Sequence, residues 1–233
     1  MIPGIIAIPS NIQKSISFVT SVGTTVQNGS YTFSSVPLGV PDTTRYVVIG
    51  VNYYQFDFFG SITSLSVAGV AATSIGASYR VLGDGFSSVI YSWLFGVTLP
   101  TSVSSGNISV VFDRSPRRGC EVGVFALYGL QSTTPVSITS GSTGGDAAAP
   151  VVLSANVQAN DVGVVLSTGA YNFSPGSFTW TGADQVYATD RGIGTPFRGA
   201  AMFQATQNQT PRTITAQSPD GSIDSTNIAA IWR

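Results

Sequence analysis

The sequence predicts an all-β protein made of two tandem antiparallel β-sandwich repeats, of the immunoglobulin-like or jelly-roll kind. Three observations predict this fold. Short runs of alternating apolar and polar residues are separated by turns rich in Gly, Pro, Ser and Asn. Charged helix-forming residues are nearly absent, since Lys14 is the only lysine and Glu121 the only glutamate. The pattern of the first half also recurs in the second, which indicates a diverged repeat.

The recurrence is clearest around residues 45–54, RYVVIGVNYY, and the run DVGVVLSTGAY that begins at Asp161. The β-rich runs before and after each copy follow in the same order. We therefore predict an extended arm at 1–13, one sandwich at 14–132 and a second at 133–233. The alternative is one large sandwich in which the two repeats exchange strands.

Turn signals and alternation place about seven strands in the first repeat. Residues 61–77 are predicted to form a hairpin with Gly69 at its turn. The apolar run at 88–97 is typical of a central strand buried on both faces. Residues 108–113 and 120–130 complete the first repeat, and 227–233 is the predicted last strand of the second.

The composition excludes several classes of function. Only 9% of the residues are charged and the formal net charge is -1, so the sequence predicts neither a nucleic-acid partner nor binding to an anionic membrane. No run of about 18 apolar residues is present, so membrane insertion as a helix is not predicted. The chain has no histidine and one cysteine, Cys120, which we predict to be a buried thiol. A histidine-activated nucleophile, a His or Cys zinc site and an internal disulfide are therefore excluded.

The acidic residues offer weak candidates for chemistry. Asp57 lies among aromatic residues and Asp184 follows a turn, but neither has an obvious second carboxylate for glycosidase chemistry. Asp220 and Asp224 stand at spacing that could supply oxygen ligands to calcium, although an Asp-Gly hairpin turn explains the same residues. We predict no enzyme activity and no cofactor.

Two stretches carry a resemblance to a known family. They are SLSVAGVAATSI (64–75) and CEVGVFALYGL (120–130). The chain resembles uncharacterised virion structural proteins of tailed bacteriophages and prophages, in which a hairpin of the form SVxxGGVAAT precedes a strand close to CxxGVxALxG. The resemblance covers roughly 31–130, and Ala68 stands where that pattern usually has its first glycine. It implies a virion component such as a capsid decoration, a neck protein or a tail appendage.

Three groups of residues are candidates for binding partners. An apolar arm could anchor the chain on other virion proteins or on copies of itself, through Ile2, Ile5, Ile6 and Ile8. The one basic cluster, at the turn DRSPRRG, could grip carboxylates of a partner through Arg114, Arg117 and Arg118. The densest aromatic run could either fill the core or present rings to a glycan or a protein interface, through Tyr53, Tyr54, Phe56, Phe58 and Phe59.

The sequence therefore favours a nonenzymatic structural protein located in the virion, which assembles through its apolar arm and nearly neutral β surfaces. The alternative is a module that binds carbohydrate, such as a host-surface glycan, or another host receptor through the aromatic run at 53–59. The two functions are compatible in a host-recognition appendage.

Overall fold

The structure is a computed structural model. It describes residues 13–55, 60–82, 88–144, 150–171, 177–189, 196–218 and 224–233. All regular secondary structure in these ranges is strand, so the predicted all-β class is confirmed. In the same ranges no helix has the length and apolar character that crossing a membrane requires.

The described residues of the first half form nine strands in two antiparallel sheets. The strands are β1 (Ser15–Gly23), β2 (Ser30–Pro37), β3 (Tyr46–Gln55), β4 (Ile62–Val67), β5 (Val70–Ala71), β6 (Thr73–Val81), β7 (Val89–Thr98), β8 (Ser105–Phe112) and β9 (Cys120–Tyr128). One sheet has the order β1-β9-β3-β7-β6, and the other has the order β2-β8-β4-β5. A core of aliphatic and aromatic side chains fills the space between these two sheets.

The part of the second half that the structure describes forms eight strands. They are β10 (Ser137–Thr143), β11 (Val151–Val157), β12 (Val162–Tyr171), β13 (Thr179–Thr181), β14 (Asp184–Thr189), β15 (Pro196–Gln204), β16 (Gln209–Gln217) and β17 (Ser225–Trp232). Their sheets have the orders β10-β17-β12-β15-β14 and β11-β16-β13. The core between them is built mainly of Val, Ile, Leu and Ala together with the ring of Phe203, and Phe178 and Phe197 form a smaller cluster beside it.

The strand order is the same in the two halves. β1, β3, β6, β7 and β9 take the places that β10, β12, β14, β15 and β17 take in the second half, and the smaller sheets correspond in the same way. In the described part of the chain every strand pairs within its own half, so the exchange of strands between repeats is not observed. This order is what duplication of one unit predicts, and the duplication itself stays a prediction.

The predicted hairpin at 61–77 is only partly correct. β4 turns at Ala68 and Gly69, which both have positive φ (50° and 80°), and pairs with the short β5. From Thr73 the chain leaves that sheet and pairs with β7 in the other one. Because the polar-apolar alternation continues through this crossing, the sequence pattern does not distinguish it from a longer hairpin.

The two five-stranded sheets face each other across a third core. Its largest buried side chains include Phe125, Leu127, Leu94, Leu166 and Trp232. The sheets approach closely where Gly50 lies, since a Cβ added there would stand 2.5 Å from Leu166 Cδ2. The described residues therefore form four sheet layers. The two strands of the recurring run, β3 and β12, lie in the two inner layers, and so does β7, the strand that was predicted to be central.

Candidate functional site

The first two residues of the aromatic run at 53–59, Tyr53 and Tyr54, do not provide the exposed rings that a glycan site needs. Tyr53 and Tyr54 are 0% and 1% exposed. Tyr53 stacks on Tyr91 at 4.6 Å between ring centroids and donates to the carbonyl of Gly60, while Tyr54 donates to Ser88 Oγ. Because β3 has strands on both sides and sheets over both faces, each of its rings is covered. The alternative in which Tyr53 and Tyr54 present exposed rings to a glycan or a protein interface is therefore wrong.

Several other predicted residues lie outside the described residues. These are Ile2, Ile5, Ile6 and Ile8 of the arm, the aromatic residues Phe56, Phe58 and Phe59, and the carboxylates Asp57 and Asp220. The predictions that involve them stay predictions.

Asp224, the second residue of the calcium candidate, is engaged in an ion pair. Arg80 Nε lies 3.0 Å from Asp224 Oδ1, and the aspartate side chain is 18% exposed. The guanidinium already balances the negative charge that would attract a calcium ion to this carboxylate. The described residues also contain no group of three side chains suited to holding a metal ion. Asp224 is thus better explained as a link between β6 and the second half than as a calcium ligand.

The basic cluster lies in the turn between β8 and β9. Arg114 is exposed, and Arg117 and Arg118 are half-buried. The backbone of this turn is tied down on both sides: Arg117 N–H donates to Tyr54 O at 3.1 Å, and Arg118 O accepts from Arg198 Nη2 at 2.6 Å. The structure therefore brings the three arginines together on a well-anchored turn, and their binding to a partner stays a prediction.

The two halves are joined by a buried polar network that the sequence analysis did not identify. Its centre is Asn52 on β3, which is 0% exposed. Asn52 Nδ2 lies 2.9 Å from Ser167 O, 2.7 Å from Thr168 Oγ1 and 3.2 Å from Ser92 Oγ. Tyr187 Oη donates to Asn52 Oδ1 at 2.8 Å, so both ends of the amide are bonded. The network connects β3 and β7 of the first half with β12 and β14 of the second.

The network continues along the same interface. Ser167 Oγ donates to Asn227 Oδ1, and Ser78 Oγ lies 2.6 Å from Thr226 Oγ1. Burial raises the pKa of Tyr187 well above its ordinary value, so this hydroxyl keeps its proton and remains a donor. Polar residues on otherwise apolar strands were the available signal, since Asn52, Ser92 and Asn227 interrupt such runs. The network is closed to solvent, and its chemistry fits a structural role.

A second feature is an open concavity at the edge of the first sandwich. It has a volume of about 430 Å³ and is lined by Gly60, Ser61, Ala77, Tyr79, Tyr91, Trp93 and Asp113. The β6 and β7 register places Tyr79 opposite Tyr91 and Ala77 opposite Trp93, so the rings lie on one face. That face is directed towards the smaller sheet of the first half. This size and an aromatic lining with few polar groups are typical of small-ligand sites.

The rings of the concavity are held in place. Tyr79 is 52% exposed, and its ring centroid lies 5.8 Å from that of Tyr91. Trp93 Nε1 donates to Ser74 Oγ at 2.8 Å, and the indole stacks on Phe95 at 5.4 Å. Burial raises the pKa of Tyr91 to about 12. The ring orientations are therefore set before any ligand arrives.

One carboxylate stands at the rim. Asp113 Oδ1 accepts from Ser61 N–H at 2.8 Å, and Asp113 Oδ2 accepts from Ser61 Oγ at 3.0 Å. A carboxylate has about four acceptor positions, so these two bonds orient the group and leave further acceptor capacity. The site thus combines an aromatic floor with a fixed hydrogen-bond acceptor, contributed by three distant parts of the sequence.

The remaining candidates for chemistry do not form a catalytic arrangement in the described residues. Asp184 is exposed at the start of β14, and Cys120 is buried as predicted. Glu121 is 2% exposed and lies opposite Asn52 in the sheet, next to the polar network. Compared with known proteins, the chain matches no family model, no curated protein and no solved structure.

Proposed function

We propose that the protein is a nonenzymatic structural component of a tailed-bacteriophage particle, as a capsid decoration, a neck protein or a tail appendage. The resemblance at 64–75 and 120–130 suggests this setting. The observation that carries the proposal is an exposed apolar surface on an otherwise nearly neutral molecule. Such surfaces mark interaction sites when several apolar side chains lie together.

The apolar surface borders a cleft between the two halves. The cleft has a volume of about 470 Å³, and its lining includes Val70, Ile75, Pro135 and Ile138. Val70 is 37% exposed and Ile138 is 48% exposed. The cleft is formed by β5, β6, β10 and the connection between the halves. These elements are held in place by the cores of the two sandwiches and by the core between the five-stranded sheets. It is therefore a fixed surface on which apolar side chains stand beside Thr and Ser hydroxyl groups, and which another particle protein, or another copy of this chain, could cover.

The stiffness of the molecule also supports a structural role. The sheets of the two halves share a buried apolar core, the Asn52 network and the Arg80–Asp224 ion pair. Asp161 is fully buried and lies 2.9 Å from Arg233 Nη2. Interfaces that are this extensive and apolar disfavour motion of one half against the other.

The proposal is tested by locating the chain in purified phage particles by mass spectrometry and immunogold labelling. We expect Ile138→Ser to reduce incorporation at least fivefold while leaving the melting temperature close to that of the wild type. Val152→Ser is the matched control, because Val152 is also exposed (54%) on a strand but lies away from the cleft. Normal incorporation of Ile138→Ser would remove the cleft from the proposal, and absence of the wild-type chain from particles would overturn the proposal itself.

Deletion of residues 1–13 tests the arm separately. We expect the shortened chain to fold and to lose attachment or self-association, as measured by incorporation and by light scattering. If it incorporates normally, the arm is not the anchor.

A further inference from the structure

The concavity at the edge of the first sandwich has a chemistry of its own. The larger sheet of the first half extends to the edge strand β6, whereas the smaller sheet ends with the two-residue β5. β5 lies beside the 73–75 end of β6, so the smaller sheet leaves the 77–81 end of β6 open in the described part of the chain. Tyr79 and Val81 are 52% and 41% exposed there.

We propose that this concavity binds a sugar ring of a neutral glycan. In this pose Tyr79 and Trp93 stack against the apolar C–H face of the ring, and the Asp113 carboxylate accepts a hydrogen bond from a hydroxyl group. This function goes beyond a structural role in a particle and does not depend on it.

The lining of the concavity selects this class of ligand. A sugar ring has an apolar face and a rim of hydroxyl donors, which match an aromatic floor and a carboxylate at its edge. Hydrogen bonds to a charged acceptor are stronger than those between neutral groups, so Asp113 supplies orientation as well as affinity. A phosphorylated or acidic ligand would bring negative charge towards Asp113, and the described residues that line the concavity include no basic side chain.

The geometry also requires little rearrangement on binding. Ser61 fixes the carboxylate through two hydrogen bonds, and Ser74 fixes the indole of Trp93. Tyr91, under the concavity, is stacked on Tyr53 with an interplanar angle of 4°. A site whose groups are already oriented loses less conformational freedom when a ligand binds. The volume of about 430 Å³ is large enough for one or two sugar rings.

The experiment uses the full chain and an array of neutral hexose and N-acetylhexosamine oligosaccharides. The oligosaccharide with the strongest signal is then titrated by isothermal calorimetry, with tryptophan fluorescence as a second readout because Trp93 lies in the site. We expect saturable binding that Tyr79→Ala weakens about tenfold and that Tyr79→Phe largely preserves. Asp113→Asn should weaken it by a similar factor, since the amide is an uncharged acceptor.

Val81→Ala is the matched control, because Val81 is exposed on the same strand and the same face but does not line the concavity. It should leave the affinity within about twofold of the wild type. Circular dichroism and melting temperatures confirm that each variant is folded. The proposal is overturned if no oligosaccharide binds, if folded Tyr79→Ala binds as tightly as the wild type, or if adenosine and cytidine bind instead. Incorporation of Tyr79→Ala into particles is measured in parallel. It shows whether the variant that loses glycan binding still assembles, so the glycan proposal and the structural proposal are tested separately.

Discussion

The two sandwiches share one strand order but close their equivalent edges differently. In the first, the edge strand β6 carries Tyr79 and its neighbour β7 carries Tyr91 and Trp93, and the concavity above them is open. In the second, the register of β15 with β12 places Gly199 where β7 has Trp93, and Phe197 where β7 has Tyr91. There, Phe178 and Trp180 from the opposite sheet fill the space, and Phe178 is 2% exposed.

This difference shows how side-chain volume decides whether an edge is a site or a core. A Cβ added at Gly199 would stand 3.0 Å from the ring of Phe178, so the glycine is what allows that ring to pack there. In the first half Trp93 takes the matching position on the sheet, and a hollow remains beside its ring. The same backbone order therefore yields packing at one edge and an accessible aromatic surface at the other.

The largest expected effect comes from removing one ring at each edge. We expect Phe178→Ala to lower the free energy of unfolding by about 3–4 kcal/mol, because it creates a cavity under a buried ring. Tyr79→Ala should lower it by less than about 1 kcal/mol, because more than half of that side chain is already in water. Urea denaturation followed by circular dichroism measures both. Equal losses of unfolding free energy for the two variants would mean that Tyr79 is packed as tightly as Phe178. The first edge would then be closed as well, which would contradict the concavity.

A second comparison concerns the charged residues at the start of the two central strands. Arg45 precedes β3 and is 1% exposed, and its guanidinium donates to the carbonyls of Leu38, Gly39, Pro100 and Val103. Asp161 precedes β12 and accepts from Gln158 N–H and from Arg233. At the corresponding ends of the two halves, side chains of opposite charge thus bind the neighbouring chain segments by hydrogen bonds.

These two ends should differ in sensitivity. We expect Arg45→Met to cost about 3 kcal/mol, because several buried carbonyls lose their donor and no other charge replaces it. Asp161→Asn should cost about 1–2 kcal/mol, because the amide still accepts a hydrogen bond and the side chain of Arg233, which is 31% exposed, can be solvated. Denaturant midpoints of the two variants decide the order. A larger loss of unfolding free energy for Asp161→Asn would show that the ion pair of Asp161 stabilises the fold more than the hydrogen bonds from Arg45 to the carbonyls.

The sequence predicted the strand content and the central strand at 88–97 because both depend on local patterns. Alternation and turn residues identified the regions of β3, β7, β9 and β12 and the turn at Gly69. The sequence left open whether Tyr53 and Tyr54 fill the core or are exposed, because a strand's own residues do not say whether a second sheet covers its other face. The concavity was missed for a similar reason: residues 60–61, 77–79, 91–93 and 113 meet only after the strands have paired.

The smallest effect on the free energy of unfolding near neutral pH is expected from the ionisation of the buried tyrosines. These residues are also distributed unequally between the halves. Burial raises the pKa of Tyr31 and of Tyr91 to about 12, from an ordinary value of 10.0, and also raises the pKa of Tyr46 and Tyr53. All four lie in the first half, whereas the second half has Tyr187.

A raised tyrosine pKa has no effect on stability well below pH 10, where the hydroxyl is protonated in both the folded and the unfolded chain. Between pH 10 and 12 the unfolded chain releases protons that the folded chain keeps, so the free energy of unfolding falls as pH rises. Denaturation at pH 8, 10 and 11, with tyrosinate absorbance recorded in parallel, measures this fall. Tyr91→Phe should make it less steep by the share of one tyrosine. An equally steep fall for Tyr91→Phe and for the wild type would contradict the assignment of this ring to the core of the first half.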